Sequence, residues 1–348
     1  MRCLLSILTI FYLFTGCLSS QSYESEKLLI AFYNVENLFD IVNNPDINDD
    51  EFTPDGNKKW TLERYNDKID QIAEVIAALG EKDSIDKPAI VGLCEVENGD
   101  VLNDLINSDL LADYNFDFVH YTSPDLRGID VALLYRKDLF DLINSHPVEL
   151  VIGSDNNRFY TRDQLVVSGK LAGEKIHFIV NHWPSRFGGA ERSRHLRNIA
   201  AELCRSIVDS LENIYNDPQI VVMGDLNDNP NDESIVNYLN AGSEASKLKS
   251  GELYNTTAQL YFEGGGTSVS RDEWQLYNHM IISQSLLEES NSGFYYRYNS
   301  ATIFDAPFIT VQTGRYKGTP YRTYVGDYYL GGYSDHYPVY IILEQFSK

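Results

Sequence analysis

A layered α/β fold in one domain is predicted by three features of the 348-residue sequence. Short runs rich in apolar and β-branched residues recur along its length, and two stretches of helical periodicity fall between them. No Pro/Gly/Ser-rich spacer separates one half from the other. Length alone, at about 150 residues per domain, would suggest roughly two domains, but the unbroken pattern favours one spanning residues 21–348. With 43% hydrophobic and 12% aromatic residues, including 24 tyrosines, the chain can bury a sizeable core and is not globally disordered.

Residues 1–20 hold one basic residue, Arg2, then an apolar run over 4–14, then a small polar stretch. This is the pattern of a secretory signal, and its apolar run falls short of the roughly 20 residues needed to span a bilayer. Phe14-Thr15-Gly16-Cys17 resembles a bacterial lipobox, so plain cleavage and a lipid anchor at Cys17 both stay open. An exported protein, periplasmic, tethered to the outer membrane or extracellular, is expected without a transmembrane segment. Strands are predicted over 27–34, 88–95, 116–122, 129–136, 148–152, 165–171, 175–181, 219–224, 277–283 and 337–343. Helices are predicted over 61–79, where Ile69, Ile72, Val75, Ile76 and Leu79 form an apolar stripe, and over 191–213. Residues 43–58, 155–160, 243–251 and 264–272 read as loops. Cys94 and Cys204, outside the signal, have neither a disulfide framework nor zinc spacing around them and are expected to be buried thiols.

The chain carries 51 acidic and 28 basic side chains, a formal net charge of −23. Such a protein is normally repelled by polyanions, which weighs against a tight, metal-free clamp on nucleic acid. It does not exclude a phosphoesterase, because carboxylates that hold divalent cations invert the local field.

Polar residues cluster where the predicted strands end. LLIAFYN runs into Val-Glu-Asn and supplies Asn34 and Glu36; AIVGLC ends in Glu95; IHFIVN ends in His182; IVVMG ends in Asp225 and Asn227; Ser334-Asp335-His336 precedes the last strand. Sites in open α/β sheets form outside strand ends, so these residues are expected to converge on one cleft.

Five segments in this order, FYNVENLFD, GLCEVEN, VNHWPS, VVMGDLND and SDHYPV, resemble the endonuclease/exonuclease/phosphatase superfamily (deoxyribonuclease I-like). The likeness extends over residues 28–346. It implies a four-layered α/β sandwich, two packed β-sheets flanked by helices, and metal-dependent cleavage of phosphoester bonds. Phosphodiester hydrolysis needs a cation against the nonbridging oxygens, a base for the attacking water and donors for the transition state. Glu36, Glu95 and Asp335 are hard oxygen ligands suited to Mg²⁺, with Mn²⁺ or Ca²⁺ as alternatives, and the resemblance assigns the same three to metal. It places Asp225 beside the attacking water, with Asn227 orienting that water or the phosphate. It places His182 and His336 on the scissile phosphate, where imidazole suits proton transfer near neutrality. It makes Asn34 a hydrogen-bonding support and Arg162 a phosphate contact.

Two departures matter. Asn278 stands where the family carries an aspartate that orients the histidine of Ser-Asp-His; an amide accepts a hydrogen bond but cannot stabilise an imidazolium as a carboxylate does. The glutamate that orients the other histidine is replaced within Thr122-Ser123-Pro124, and Asp130 is expected to serve His182 instead. Arg186, in Ser185-Arg186-Phe187-Gly188-Gly189, opens a basic stretch through Arg192, Arg194, His195 and Arg197. That stretch reads either as a phosphate cradle or as the solvated face of a helix. The Tyr-rich segment 316–333 can stack on bases or sugars, or simply pack. The expected partner is a phosphoester substrate, DNA or RNA first, met by a monomer. A phosphomonoesterase or a phospholipid-head-group hydrolase is the enzyme alternative, and a non-catalytic binding module is supported by Asn278 alone.

Overall fold

The computed structural model describes residues 26–154, 157–288 and 293–345; the signal reading at 1–20 lies outside them. The chain opens with β1 (Glu26–Leu38), α1 (Leu62–Ala78), β2 (Ile90–Val96), α2 (Gly99–Ile106), β3 (Phe116–His120), β4 (Asp130–Arg136) and β5 (Phe140–Val148). It continues through β6 (Gln164–Leu171), β7 (Glu174–His182), α3 (Ala190–Ile214), β8 (Ile220–Asp225), β9 (Ala241–Gly242), β10 (Leu253–Asn255) and α4 (Ala258–Phe262). It closes with β11 (Ser268–Ser270), β12 (Glu273–Gln275), β13 (Asn278–Ile282), β14 (Tyr295–Tyr296), β15 (Thr302–Ile303), β16 (Tyr324–Val325), β17 (Tyr328–Tyr329) and β18 (Val339–Gln345).

Two seven-stranded sheets pack face to face. One runs β14-β18-β1-β2-β4-β3 with β15 against β18, the other β5-β6-β7-β8-β13-β10-β9. The alternation of strand side chains dictates the layers. From β1, Leu28, Ile30 and Phe32 enter the core between the sheets, while Leu29, Ala31 and Tyr33 face the core under α1 and α2. From β8, Val221 and Met223 point inward, and Ile220 and Val222 meet Ala200, Cys204 and Val208 of α3. Strands buried on both faces read as continuous apolar runs, which is why they were visible in sequence. The sheets approach so closely that a Cβ on Gly92 would lie 2.4 Å from Met223 Sδ. This is the four-layered sandwich the motifs imply.

Both long helices form where their stripes predict. Thr61 caps α1 by accepting from the Arg64 amide, and each helix serves as the crossover of a parallel pair, β1 with β2 and β7 with β8. Cys94 and Cys204 are buried and free. No helix among the described residues is long and apolar enough to cross a membrane.

Three predictions fail locally. The strand expected over 148–152 lies instead at 140–148, a largely exposed edge strand with Pro147, whose polar sequence carries no hydrophobic signal. The loop 264–272 contains most of the β11–β12 hairpin. Helix α2 went unread because it is short and starts Gly-Asp; its signal was Asn98, whose side chain accepts from the amides of Asp100 and Val101.

Candidate active site

The parallel strands β1, β2, β7 and β8 all end at one rim of the sandwich, and the antiparallel strands β4, β13 and β18 begin there. Register sets His182 opposite Asp225, Asp225 opposite Asn278 and Asn34 opposite Cys94. Beyond those pairs the ladders slip, between Asn34 and Leu38 in β1 and between Cys94 and Val96 in β2. The slips put Glu36 at φ 50° and Glu95 at φ 64°, and Asn227 after β8 sits at φ 53°. Left-handed backbone at non-glycine residues costs on the order of 1 kcal/mol each and concentrates at functional sites; here the bulges turn carboxylates off the pleat toward the rim.

Asp225 is the hub. Its Oδ2 accepts from Asn34 Nδ2 at 2.9 Å, its Oδ1 accepts from the Asn227 amide at 3.0 Å, and the Nε2 atoms of His182 and His336 each stand 3.8 Å from Oδ2. The Asn34 amide also reaches Glu95 Oε1 at 3.3 Å, and its own carbonyl oxygen accepts from the Glu36 amide. Glu95 accepts from the Asn37 amide at 3.0 Å and lies 3.8 Å from His182 Nε2. His336 is held by Asn278: the amide nitrogen donates to the Tyr337 carbonyl, which turns Oδ1 toward His336 Nδ1 at 3.0 Å. That contact places the Nδ1 proton and leaves Nε2 facing Asp225.

The electrostatics are those of crowded carboxylates. Burial pushes the Glu95 and Asp225 carboxyls above the usual range, and Asp335 adds to both. Glu36, buried, bonded to the Thr323 amide at 2.7 Å and repelled by Asp335, is raised to about 7. Burial, reinforced by Arg162 and Arg127, holds His182 well below the ordinary imidazole value. Its Nδ1 is buried with no hydrogen-bond partner among the described residues, so the neutral ring carries its proton on Nε2, facing the rim.

Several expectations need correction. Asp130 does not orient His182; its oxygens are taken by His120 Nε2 at 3.0 Å and by Ser123, and the geometry of β3 beside β4 decides this. Arg162 is not free for phosphate. It is buried, pairs with Asp125 at 2.9 Å and donates to the carbonyls of His182 and Trp183, so it ties down the strand end that carries the histidine. Arg186 is spent as well, on Asp228, Asp232 and the Asn227 carbonyl, with its guanidinium over the Tyr277 ring. Sequence reasoning missed Lys68, buried on α1 and donating to Thr323 and Tyr333, lowered to about 8 by burial. It also missed Arg127, half exposed, whose charge acts on both Glu95 and His182.

The donor set suits a hard divalent cation. The Asp335 charge raises the proton affinity of Glu36, Glu95 and Asp225, and a cation among them would reverse that repulsion. The three expected ligands do not form a closed cage: Asp335 is tied to Arg322 at 3.1 Å and Glu36 to the Thr323 amide. Mg²⁺ takes one or two carboxylates and keeps its waters, so an open set is adequate. Among the described residues, Cys94, His182 and Asp225 bring one possible ligand atom each within 4.8 Å of one another. Burial pushes the Cys94 thiol up, which makes it a poor ligand for such an ion.

The model of the Endonuclease/Exonuclease/phosphatase family matches residues 29–345. The chain belongs to this family. As a member it is a phosphoester hydrolase, in a family whose enzymes commonly use divalent metals. No curated protein matches the chain. Among solved structures, an endonuclease/exonuclease/phosphatase family protein of Bacteroides thetaiotaomicron is 19% identical, with a TM-score of 0.54 over 93% of this chain and 97% of its own. A mannosyl-6-phosphatase of the same organism is 18% identical, with a TM-score of 0.53 over 91% and 99%. D. rerio TDP2 complexed with single strand DNA product is 14% identical, with a TM-score of 0.53 over 91% and 98%. These likenesses establish the fold.

Proposed function

We propose that the chain is a metal-dependent phosphodiesterase with a nuclease-type substrate. The observation that carries this is the Asp225 hub, one carboxylate fixed by Asn34 with two imidazole nitrogens equally spaced from it. In this reading Asp225, its proton affinity raised by burial, accepts the proton of the attacking water while Asn34 and Asn227 hold its oxygens in place. His182 donates from Nε2 to a nonbridging oxygen. His336, its Nδ1 proton held by Asn278, receives at Nε2 the proton that Asp225 has taken and passes it to the departing oxygen. Arg127 rather than Arg162 is the guanidinium placed to meet the phosphate. Glu36, Glu95 and Asp335 would hold a divalent cation, whose charge neutralises the nonbridging oxygens and polarises phosphorus.

A second reading, a hydrolase of small phosphate esters, is favoured by a partly open cavity of about 280 Å³ beside Asp335. Export, a monomeric state and the Cys17 anchor are read from sequence alone. The test is hydrolysis by the mature protein of duplex DNA, single-stranded DNA, RNA, bis-p-nitrophenyl phosphate, inositol phosphates and sphingomyelin. Each is run with Mg²⁺, Mn²⁺ or Ca²⁺, with EDTA, and with His182→Ala. Metal-dependent cleavage of nucleic acid that disappears in the variant supports the nuclease; turnover of small esters or lipid alone selects the second reading.

A further inference from the structure

Among the described residues, larger open hollows of about 660 and 430 Å³ lie beside α1 and beside the start of β7, but neither has a rim residue in its wall. A third cavity, of about 280 Å³, does, because Asp335 forms part of it. It lies between the turn joining β11 and β12 and the segment 311–330. Ser268 of β11 bridges to His336, so this hairpin is fastened to the histidine loop itself. The opposite wall is built by a tight chain crossing: Tyr321 bonds the Leu330 carbonyl at 2.7 Å, and a Cβ on Gly332 would lie 2.3 Å from the Tyr321 carbonyl oxygen.

The lining is mostly apolar and aromatic, with Val269, Val325, Leu330, Tyr316 and Tyr321, and its charges are unevenly matched. Asp335 pairs with Arg322 at 3.1 Å, and Asp272 pairs with Arg315 at 3.0 Å. Arg271, exposed at the tip of the turn, has no side-chain ion pair or hydrogen bond among the described residues. In a chain of net charge −23, an arginine left without a carboxylate in a cavity wall beside the catalytic rim marks a place for an anion. A volume at the low end of ligand pockets admits one ring system and not a helix of nucleic acid. Tyrosine faces hold bases or sugars without sequence preference.

We infer that this cavity seats a single nucleotide unit of the substrate, its ring against Tyr316 and Tyr321 and a second phosphate on Arg271, while the scissile phosphate lies at Asp225. The inference rests on the phosphodiesterase reading and narrows it to substrates presenting a lone nucleotide, free or at a strand end. Duplex interiors do not fit.

The test measures calorimetric binding of thymidine 3′,5′-bisphosphate to the protein with Mg²⁺. In parallel it measures turnover of p-nitrophenyl thymidine 5′-phosphate carrying a 3′-phosphate against methyl p-nitrophenyl phosphate. Arg271→Gln should weaken bisphosphate binding about 10-fold, the scale of one charge-assisted hydrogen bond. It should lower the preference for the nucleotide ester by a similar factor. Leu330→Trp, at an exposed position, should fill the cavity and abolish both effects of the nucleotide, whereas Arg192→Ala, which removes an equivalent charge from α3, should alter neither. Bisphosphate binding unchanged in both cavity variants, or weakened equally by Arg192→Ala, overturns the inference. Binding that depends on Arg271 with no hydrolysis of either ester upholds the cavity and overturns the phosphodiesterase. Preference for a single-stranded 3′-end over the free bisphosphate assigns the unit to a strand terminus; the reverse assigns it to a free nucleotide.

Discussion

Asn278 shows how one side chain fixes the behaviour of another. Its amide nitrogen is committed to the Tyr337 carbonyl at 2.9 Å, so its oxygen can only face His336. Removing it in Asn278→Ala should lower kcat about 10-fold with little change in KM, a split read from initial rates, because the ring loses orientation rather than substrate contact. Arg162→Ala should instead cost stability, on the order of 3 kcal/mol by urea unfolding, since buried Asp125 loses its 2.9 Å partner and keeps only Arg127, and two buried carbonyls lose their donor. At this scale the sequence identified the residues better than their neighbours. Asn34, Glu95, His182, Asp225 and His336 were legible because each ends or precedes an apolar strand inside a recognisable motif. The partners of Asp130, Arg162 and Arg186 were not, because Asp125, His120 and Asp232 meet them through tertiary distances that no local pattern encodes.

Among the elements, the bulges at the ends of β1 and β2 matter most, since they turn Glu36 and Glu95 toward the rim. Nothing in the residue order announces a register slip; only the left-handed backbone reveals it. Helices α1 and α3 were readable from their 3.6-residue stripes and the central strands from apolar runs, whereas β5 offered an exposed, polar edge sequence. Where the two sheets meet, Gly92→Ala should force Met223 aside and cost about 1 to 3 kcal/mol, measured by denaturant midpoint at unchanged m-value.

For the whole molecule, pH acts through histidines buried as neutral rings. Burial lowers His177 and His279 to about 4. The unfolded chain binds their protons near 6.5 and the folded chain does not. Each therefore contributes stability that is complete above about pH 6.5 and is lost as pH falls toward 4, on the order of 2 to 3 kcal/mol. Glu97 and Asp163, raised by burial to about 7 and about 6, act in the opposite sense over an overlapping range. The His177 contribution is thus best isolated by difference: His177→Gln should lose less stability than the parent between pH 7 and pH 4 in chemical denaturation.

The measurement that bears most directly on the account is the rate of bis-p-nitrophenyl phosphate hydrolysis, titrated with Mg²⁺, for the parent protein and for Asp225→Asn. The hub reading predicts hydrolysis that requires metal and falls at least about 10²-fold in the variant, the scale of losing a general base, with the fold retained by circular dichroism. Metal-dependent turnover that survives Asp225→Asn would contradict the central role given to that carboxylate.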